Sequence, residues 1–367
     1  MIKEIHLKQF KAFNNEKIEL NVLNILSGLN SSGKSSLLQA ISLLSQSIED
    51  IDGKTCINSF ILDGKFINLG TSNDILNDFN IDDEISIRID TDSERIICKA
   101  LHSPNSKSLK LEKNVEIRND GFELKNIIFI PANRIVPENL YPMPSQQHND
   151  RKYFGKRAEF SIDYLLNHQD ASIHSKLIID KNITEGLLDQ TKFWLQKISP
   201  GVSLKLSNLS NADSVMLGFE YNSPIFGSTS IRRPSNVGFG LTYLLPVIVA
   251  CLSASKEDIL LIENPEAHLH PRGQAAMGEL LCRVASSGVQ VIVETHSDHV
   301  LNGVRVFIKE HTELLMNEKT SCLFFESHAE SSTLKISKPV IDKHGRLNNW
   351  PVGFFDEWDI ALDKLLG

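Results

Sequence analysis

The run Gly28-Leu29-Asn30-Ser31-Ser32-Gly33-Lys34-Ser35 fits the pattern G-x-x-x-x-G-K-[ST] in full. Glycines in such a loop let backbone N–H groups converge on phosphate oxygens with no Cβ in the way. A helix that starts at Lys34 points the positive end of its dipole at the same anion. The Lys34 ammonium adds charge at the β/γ phosphates, and the Ser35 hydroxyl can ligate Mg²⁺. The candidate nucleotide-binding residues here are Asn30, Ser31, Ser32, Gly33, Lys34, Ser35 and Ser36.

A second cluster lies more than 200 residues on. Ile259 to Glu263 reads as an apolar strand ending in an acid, whose carboxylate suits the water shell of Mg²⁺ across from Ser35. It runs on into Asn264-Pro265-Glu266-Ala267-His268-Leu269-His270-Pro271. A further strand, Val289 to Val293, ends in Glu294-Thr295-His296-Ser297. Both polar clusters fall at C-terminal strand ends, where open α/β sheets bind ligands. His296 in that place suits a γ-phosphate sensor better than a structural cap. Ser235, Gly238 and Gly240 front an apolar helix and give a second place to hold phosphate. A Gly-rich loop that only turns the chain is the alternative there.

The elements that must position these residues follow from periodicity. Ile2, Ile5 and Leu7, then Ile18 and Leu20, predict a hairpin, and Val22 to Leu26 a buried strand ending at Ser27-Gly28. Leu37, Leu38, Ile41, Leu44 and Ile48 are spaced by three or four and predict a helix over 34–48. Residues 51–130 read as mainly β, a β-rich insertion, and 137–156 as a Pro/Asn/Gly loop. Residues 157–198 read as helical with a break near His168–Ser172, and 199–233 as short strands. From Ser235 the pattern alternates: helix Thr242–Ala254, strand 259–262, helix 272–286, strand 289–293, helix 298–309. That alternation predicts a mainly parallel core sheet flanked by helices.

Composition bounds the rest. The chain has 367 residues, 41% apolar and 23% charged, with a net charge of −8. This excludes wholesale disorder, and it excludes nucleic-acid binding by overall positive charge while leaving room for a local basic groove. Cys56, Cys98, Cys251, Cys282 and Cys322 lack zinc-knuckle or redox-pair spacing, so reduced thiols and a cytoplasmic location are expected. The N-terminus has no apolar core of a signal peptide, and Leu241–Ala254 is too short to span a membrane.

These motifs resemble the ABC-type ATPase superfamily, and within it the bacterial AAA-family ATPases related to SMC, RecF and overcoming-lysogenization-defect heads. Gly28–Ser35 matches Walker A, Ile259–Glu263 Walker B, Ala267–His270 a D-loop, and His296 the H-loop histidine. Ser235–Thr242 looks like a degenerate signature motif. Gly345–Asp356, with Trp350, Phe354 and Phe355, is similar to a C-terminal region of unassigned function. The resemblance implies a P-loop NTPase of ABC-ATPase head type, with an N-terminal antiparallel β subdomain. One bilobed head would cover 1–367: an N-terminal lobe over 1–134, a loop and helical insertion over 135–200, and a second lobe over 201–367. It also implies ATP and Mg²⁺ as ligands, with Ser35 and Glu263 on the metal. In the family the signature contacts ATP on the other subunit, so a homodimer or higher homo-oligomer is implied.

One departure matters. The family usually places a water-activating glutamate after the Walker B acid, and here that position is Asn264. An amide orients water but does not usefully take its proton. The catalytic set is therefore Glu263, Asn264, Glu266 and His296, with Glu294 also near, and slow ATP hydrolysis is expected. An ATP-driven switch or motor subunit is the leading reading, serving a separately encoded effector or a DNA-processing complex in genome maintenance or anti-phage defence. An ATP-regulated nuclease and a transporter's nucleotide-binding subunit are the alternatives. No clustered acids remain for a two-metal nuclease site, and His268 and His270 fall inside the D-loop-like segment. Arg134 reads as a surface ion-pair residue or a phosphate or partner contact, Arg232 and Arg233 as solvated, and Trp350 and Phe354-Phe355 as packing.

Overall fold

A computed structural model describes residues 1–79, 82–117, 123–144, 152–223, 227–327, 334–351, 353–355 and 357–366. In chain order the elements are β1 (Ile2–Phe10), β2 (Phe13–Glu19), β3 (Leu23–Gly28), α1 (Lys34–Gln46), β4 (Ile48–Ile51), β5 (Lys54–Ile61), β6 (Glu84–Thr91), β7 (Arg95–Leu101), β8 (Ser108–Glu116) and β9 (Ile127–Ile130). They continue with β10 (Leu140–Pro142), α2 (Ser161–Asn167), α3 (Leu187–Ile198), β11 (Val202–Leu209), β12 (Ser214–Ser223), β13 (Gly227–Ser228), α4 (Phe239–Ser253), β14 (Ile259–Glu263) and α5 (Pro271–Ser286). The last are β15 (Gln290–Glu294), α6 (Asp298–Glu310), β16 (Thr320–Ser327), β17 (Leu334–Ser337) and α7 (Glu357–Leu366). The chain divides into two units, Met1–Ile127 with Asn317–Gly367, and Ile128–Met316.

In the first unit, strict alternation builds an antiparallel sheet of order β2-β1-β6-β7-β8-β5-β4. Ile85, Ile87 and Ile89 of β6 face the core with Ile5 and Leu7 of β1 and with Ile96 and Cys98 of β7. The β-rich stretch after α1 is therefore no separate insertion, because β4–β8 complete the sheet that the N-terminal hairpin begins. Beside it, β3 pairs in parallel with β16, from Leu23↔Thr320 to Gly28↔Phe325, and β17 adds an antiparallel strand. The sequence reading placed no strand at 320–337. Helix α1 buries Leu37, Leu38, Ile41 and Leu44, and its Ser45 Oγ donates to Leu124 O at 2.6 Å. The C-terminal aromatics pack as expected at one position: Phe354 is fully buried, with its ring 5.2 Å from Phe324 and 5.4 Å from Trp350.

The second unit carries the helix–strand alternation. Strands β14 and β15 pair in parallel, ending in the neighbours Glu263↔Glu294. Helix α4 is apolar throughout and buried from Leu244 to Leu252, the mark of a helix inside a core. It starts at Phe239, three residues before the expected Thr242, so Gly240 lies inside its first turn. The break between α2 and α3 runs from His168 to Gly186, longer than the expected 168–172. An Asx-type turn at Asp180, whose carboxylate accepts from Asn182 N at 2.9 Å, is part of the reason. A second, antiparallel sheet has the order β10-β12-β11. Among the described residues, no helix is long and apolar enough to cross a membrane. Residues 145–151 of the expected loop, and Val352 and Asp356 of the C-terminal motif, lie outside the described residues.

Candidate functional site

The phosphate-loop residues sit between β3 and α1, in the first unit. Gly28 has φ 134°, and a Cβ there would stand 2.2 Å from Phe325 O, so only glycine lets β3 end against β16. Ser31 follows at φ 62°, and Gly33 caps α1 at φ 101°. The Lys34 ammonium is buried and folds back over the loop, donating to Leu29 O at 2.6 Å and Gly28 O at 3.0 Å. Leu29, Asn30 and Ser31 are exposed, while Ser32 and Gly33 are buried and Ser35 and Ser36 half-buried. The helix start has no side-chain cap and no acid in its first turn. An uncapped helix N-terminus beside a buried lysine suits an anion and repels a cation, so the loop fits the phosphates of a nucleotide. The Ser35 hydroxyl would hold Mg²⁺ there.

The second unit holds the acid-ended strand. Glu263 is half-buried, and its Oε2 accepts from Ala132 N at 2.8 Å. Burial, with the Glu294 charge beside it, pushes its carboxyl above the ordinary carboxylate value; the Ala132 N–H and Arg134 oppose the shift. An acid in that position gains from a cation at its free oxygen, which is what a Mg²⁺ site requires. Asn264 adopts φ 46°, a left-handed conformation that asparagine tolerates better than most residues, and its N–H donates to Glu294 O at 2.8 Å. Glu266 is buried: Oε1 accepts from His296 N at 2.8 Å, and Oε2 has no hydrogen-bond partner among the described residues. His296 is exposed, with Nε2 3.9 Å from Glu294. Glu263, Asn264, Glu266, Glu294 and His296 are thus brought together at two adjoining strand ends.

Arg134 corrects the sequence reading. It is only 1% exposed, neither a surface ion-pair residue nor open to a phosphate. Its guanidinium donates to Glu263 O, and to Asn264 O at 3.2 Å, and lies 5.1 Å over the Tyr243 ring. Burial lowers its pKa to about 10, so it stays charged at neutral pH. Tyr243 in turn donates to Ala132 O at 2.9 Å. The sequence held no signal for this, since arginine is seldom buried.

The signature-like residues spread over two local structures. Ser235 is exposed in a 3-10 turn, Gly238 caps α4, and Gly240 lies in the helix. A Cβ on Gly240 would stand 2.5 Å from His268 O, so the helix start and the turn after β14 touch backbone to side-chain position. The His268 ring packs edge-on against Phe239 at 4.8 Å and Tyr243 at 5.2 Å. His270 caps α5, accepting from Arg272 N at 3.3 Å.

A strand, a glycine loop and a helix led by lysine and serine, with an acid-ended strand, define a P-loop nucleotide hydrolase class. Residues 1–223 match the model described as an AAA ATPase domain, and this chain belongs to that family of ATP-binding ATPases. Residues 195–302 match a model described as an AAA domain, putative AbiEii toxin of a type IV toxin–antitoxin system, and 315–365 match a protein family of unknown function, DUF3696. A search of curated proteins returned no match. Among solved structures, an Smc head domain with an extended coiled coil, bound to the C-terminal domain of ScpA derived from Pyrococcus furiosus, matches with TM-score 0.51 and 13% identity, over 100% of this chain and 99% of that one. The SMC head domain from Thermotoga maritima matches with TM-score 0.45 and 14% identity, over 92% and 98%. The fold is thus an α/β P-loop NTPase of the ABC-ATPase head type.

Proposed function

We propose that this chain binds Mg²⁺-ATP, hydrolyses it slowly, and closes with a second copy as the nucleotide binds. It would act as a switch subunit for a separately encoded effector or DNA-processing complex, in anti-phage defence or genome maintenance. The observation that carries the reading is the buried Lys34 at an uncapped helix start, wrapped by a loop only glycines can form. In this reading Asn30 to Ser36 hold the phosphates, and Ser35 and Glu263 hold Mg²⁺. Ser235, Gly238 and Gly240 serve the nucleotide of the second copy. In the same reading Asn264 would orient water, Glu266, with an oxygen unpaired among the described residues, would help it, and His296 would sense the γ-phosphate. Bound Mg²⁺ would supply charge stabilisation for phosphoryl transfer, which depends mainly on positioning. A protein partner is the proposal by analogy with the ScpA domain bound to the Pyrococcus furiosus Smc head. Any DNA contact would use a local groove or that partner, in the cytoplasm and away from a membrane.

The deciding experiment measures mass by light scattering with and without ATP, with Lys34→Ala as control, alongside phosphate release. ATP should raise the mass of the parent and not of the variant. Glu263→Gln should hold the nucleotide-bound state and stop turnover. Hydrolysis by Glu263→Gln at the parent rate would overturn the metal assignment, and cleavage of linear DNA by the chain alone would restore the nuclease reading.

A further inference from the structure

Ala132 lies just past the end of β9 and is held on both sides. Its N–H donates to Glu263 Oε2 at 2.8 Å, and its carbonyl accepts from the Tyr243 hydroxyl at 2.9 Å. Tyr243 sits near the start of α4. Pro246 has no N–H to give the Thr242 carbonyl, so the turn that carries Tyr243 is tied to the rest of α4 by one bond fewer. Lateral contacts hold that turn instead. The Tyr243 ring lies 5.1 Å below the Arg134 guanidinium, 5.2 Å from the Phe239 ring, and edge-on to His268 at 5.2 Å. Arg134, buried, donates to the carbonyls of Glu263 and Asn264. All of these residues belong to the second unit. The acid at the end of β14 is thus held twice, its main chain by Arg134 and its side chain by Ala132. Both holders rest on one tyrosine, Arg134 on its ring and Ala132 on its hydroxyl.

We propose that Tyr243 is a positioning residue for the nucleotide site: through Ala132, its hydroxyl commits Glu263 Oε2 to the main chain and leaves Oε1 for the metal. The inference rests on the Mg²⁺-ATP reading above. It adds a link, inside one chain, between the start of α4 and the carboxylate that would hold the metal. A carboxylate free to turn loses orientation when it takes a cation, and fixing one oxygen beforehand removes that loss. The Tyr243 hydroxyl is spent on Ala132 O. Its removal should therefore change what the metal adds to nucleotide affinity, and not what the loop at Gly28–Ser35 binds by itself.

The test titrates the full chain calorimetrically with adenylyl imidodiphosphate, an ATP analogue that does not turn over, once in EDTA and once in excess Mg²⁺. The ratio of the two affinities is the metal's contribution, read without hydrolysis. Tyr243→Phe keeps the ring under Arg134 and removes the hydroxyl alone, and circular dichroism checks its fold. In EDTA it should bind within about twofold of the parent, because the phosphate loop is untouched. In Mg²⁺ its gain should fall about fivefold, the worth of one hydrogen bond. Glu263→Ala should lose most of the gain, and Tyr243→Phe added to it should lower nothing further, because both act through one carboxylate. A gain equal to the parent's in Tyr243→Phe, or a further loss in the double variant, would overturn the inference and leave the ATP reading standing. A parent that binds the analogue equally with and without Mg²⁺, or a Glu263→Ala variant that keeps the gain, would overturn the metal role of Glu263 and the inference with it.

Discussion

Replacing Arg134 by methionine keeps most of the side chain's volume and removes its guanidinium. The carbonyls of Glu263 and Asn264 then lose a donor that is itself only 1% exposed. Each unsatisfied buried acceptor costs about 1–3 kcal/mol. Losing the cation over the Tyr243 ring adds about 1 kcal/mol. Relief of the guanidinium's burial offsets several kcal/mol of this. The net expectation is a loss of about 2 kcal/mol. At a urea slope of roughly 2–3 kcal/mol/M, that lowers the unfolding midpoint by about 0.7–1 M. Trp194 is fully buried in the same unit, so its fluorescence reports the transition once Trp350 and Trp358 are replaced by phenylalanine. Arg134→Lys keeps the charge and loses the fork that reaches two carbonyls, so it should fall about halfway. A midpoint for Arg134→Met within about 0.2 M of the parent would refute the reasoning. The two carbonyls would then be finding donors elsewhere.

Gly28→Ala should leave little folded protein by circular dichroism, since its Cβ would stand 2.2 Å from Phe325 O. Of the five cysteines, Cys56 should react quickly with a thiol reagent at pH 8 and the buried four only on unfolding; burial pushes the Cys98 thiol up to about 12. Glu279 is half-buried, which works against its charge, but bonds from Lys197 at 2.7 Å and Arg283 at 2.9 Å outweigh this and hold its carboxyl below the ordinary value of 4.5. Its stabilisation is then present above pH 4.5 and lost as pH falls through the lower folded value. Glu279→Gln should cost about 1 kcal/mol at pH 7 and flatten the acid side of the stability curve, read by urea titration at several pH values.

Where the sequence spoke through period and glycine, it was legible. The loop at Gly28–Ser35 and the three- and four-residue spacing from Leu37 to Leu44 place β3, the turn and α1 within two residues. The acid at the end of β14 and the cluster at the end of β15 were legible for the same reason. Phe239 was hidden as a helix start because Gly238 and Gly240 on either side of it are turn residues by composition. In the structure Gly240 lies inside the helix, and its lack of a side chain makes room for His268 O. Strand β16 was missed because Cys322-Leu323-Phe324-Phe325 is a short apolar run with no alternation, which periodicity cannot tell from a buried helix. Arg134 was misread because its role depends on two carbonyls about 130 residues away in the chain.

The pairing of β3 with β16 has a consequence for how the chain is made. Strand β3 emerges from the ribosome early, yet residues 320–325, its parallel neighbours, follow almost 300 residues later. The phosphate loop hangs from the end of β3, where Gly28 rests on Phe325. A nascent chain therefore holds the complete motif long before the strand that braces it exists. The nucleotide binding proposed for this loop would then depend on the later strand, and a truncation before residue 320 should silence it while leaving every residue of the motif in place.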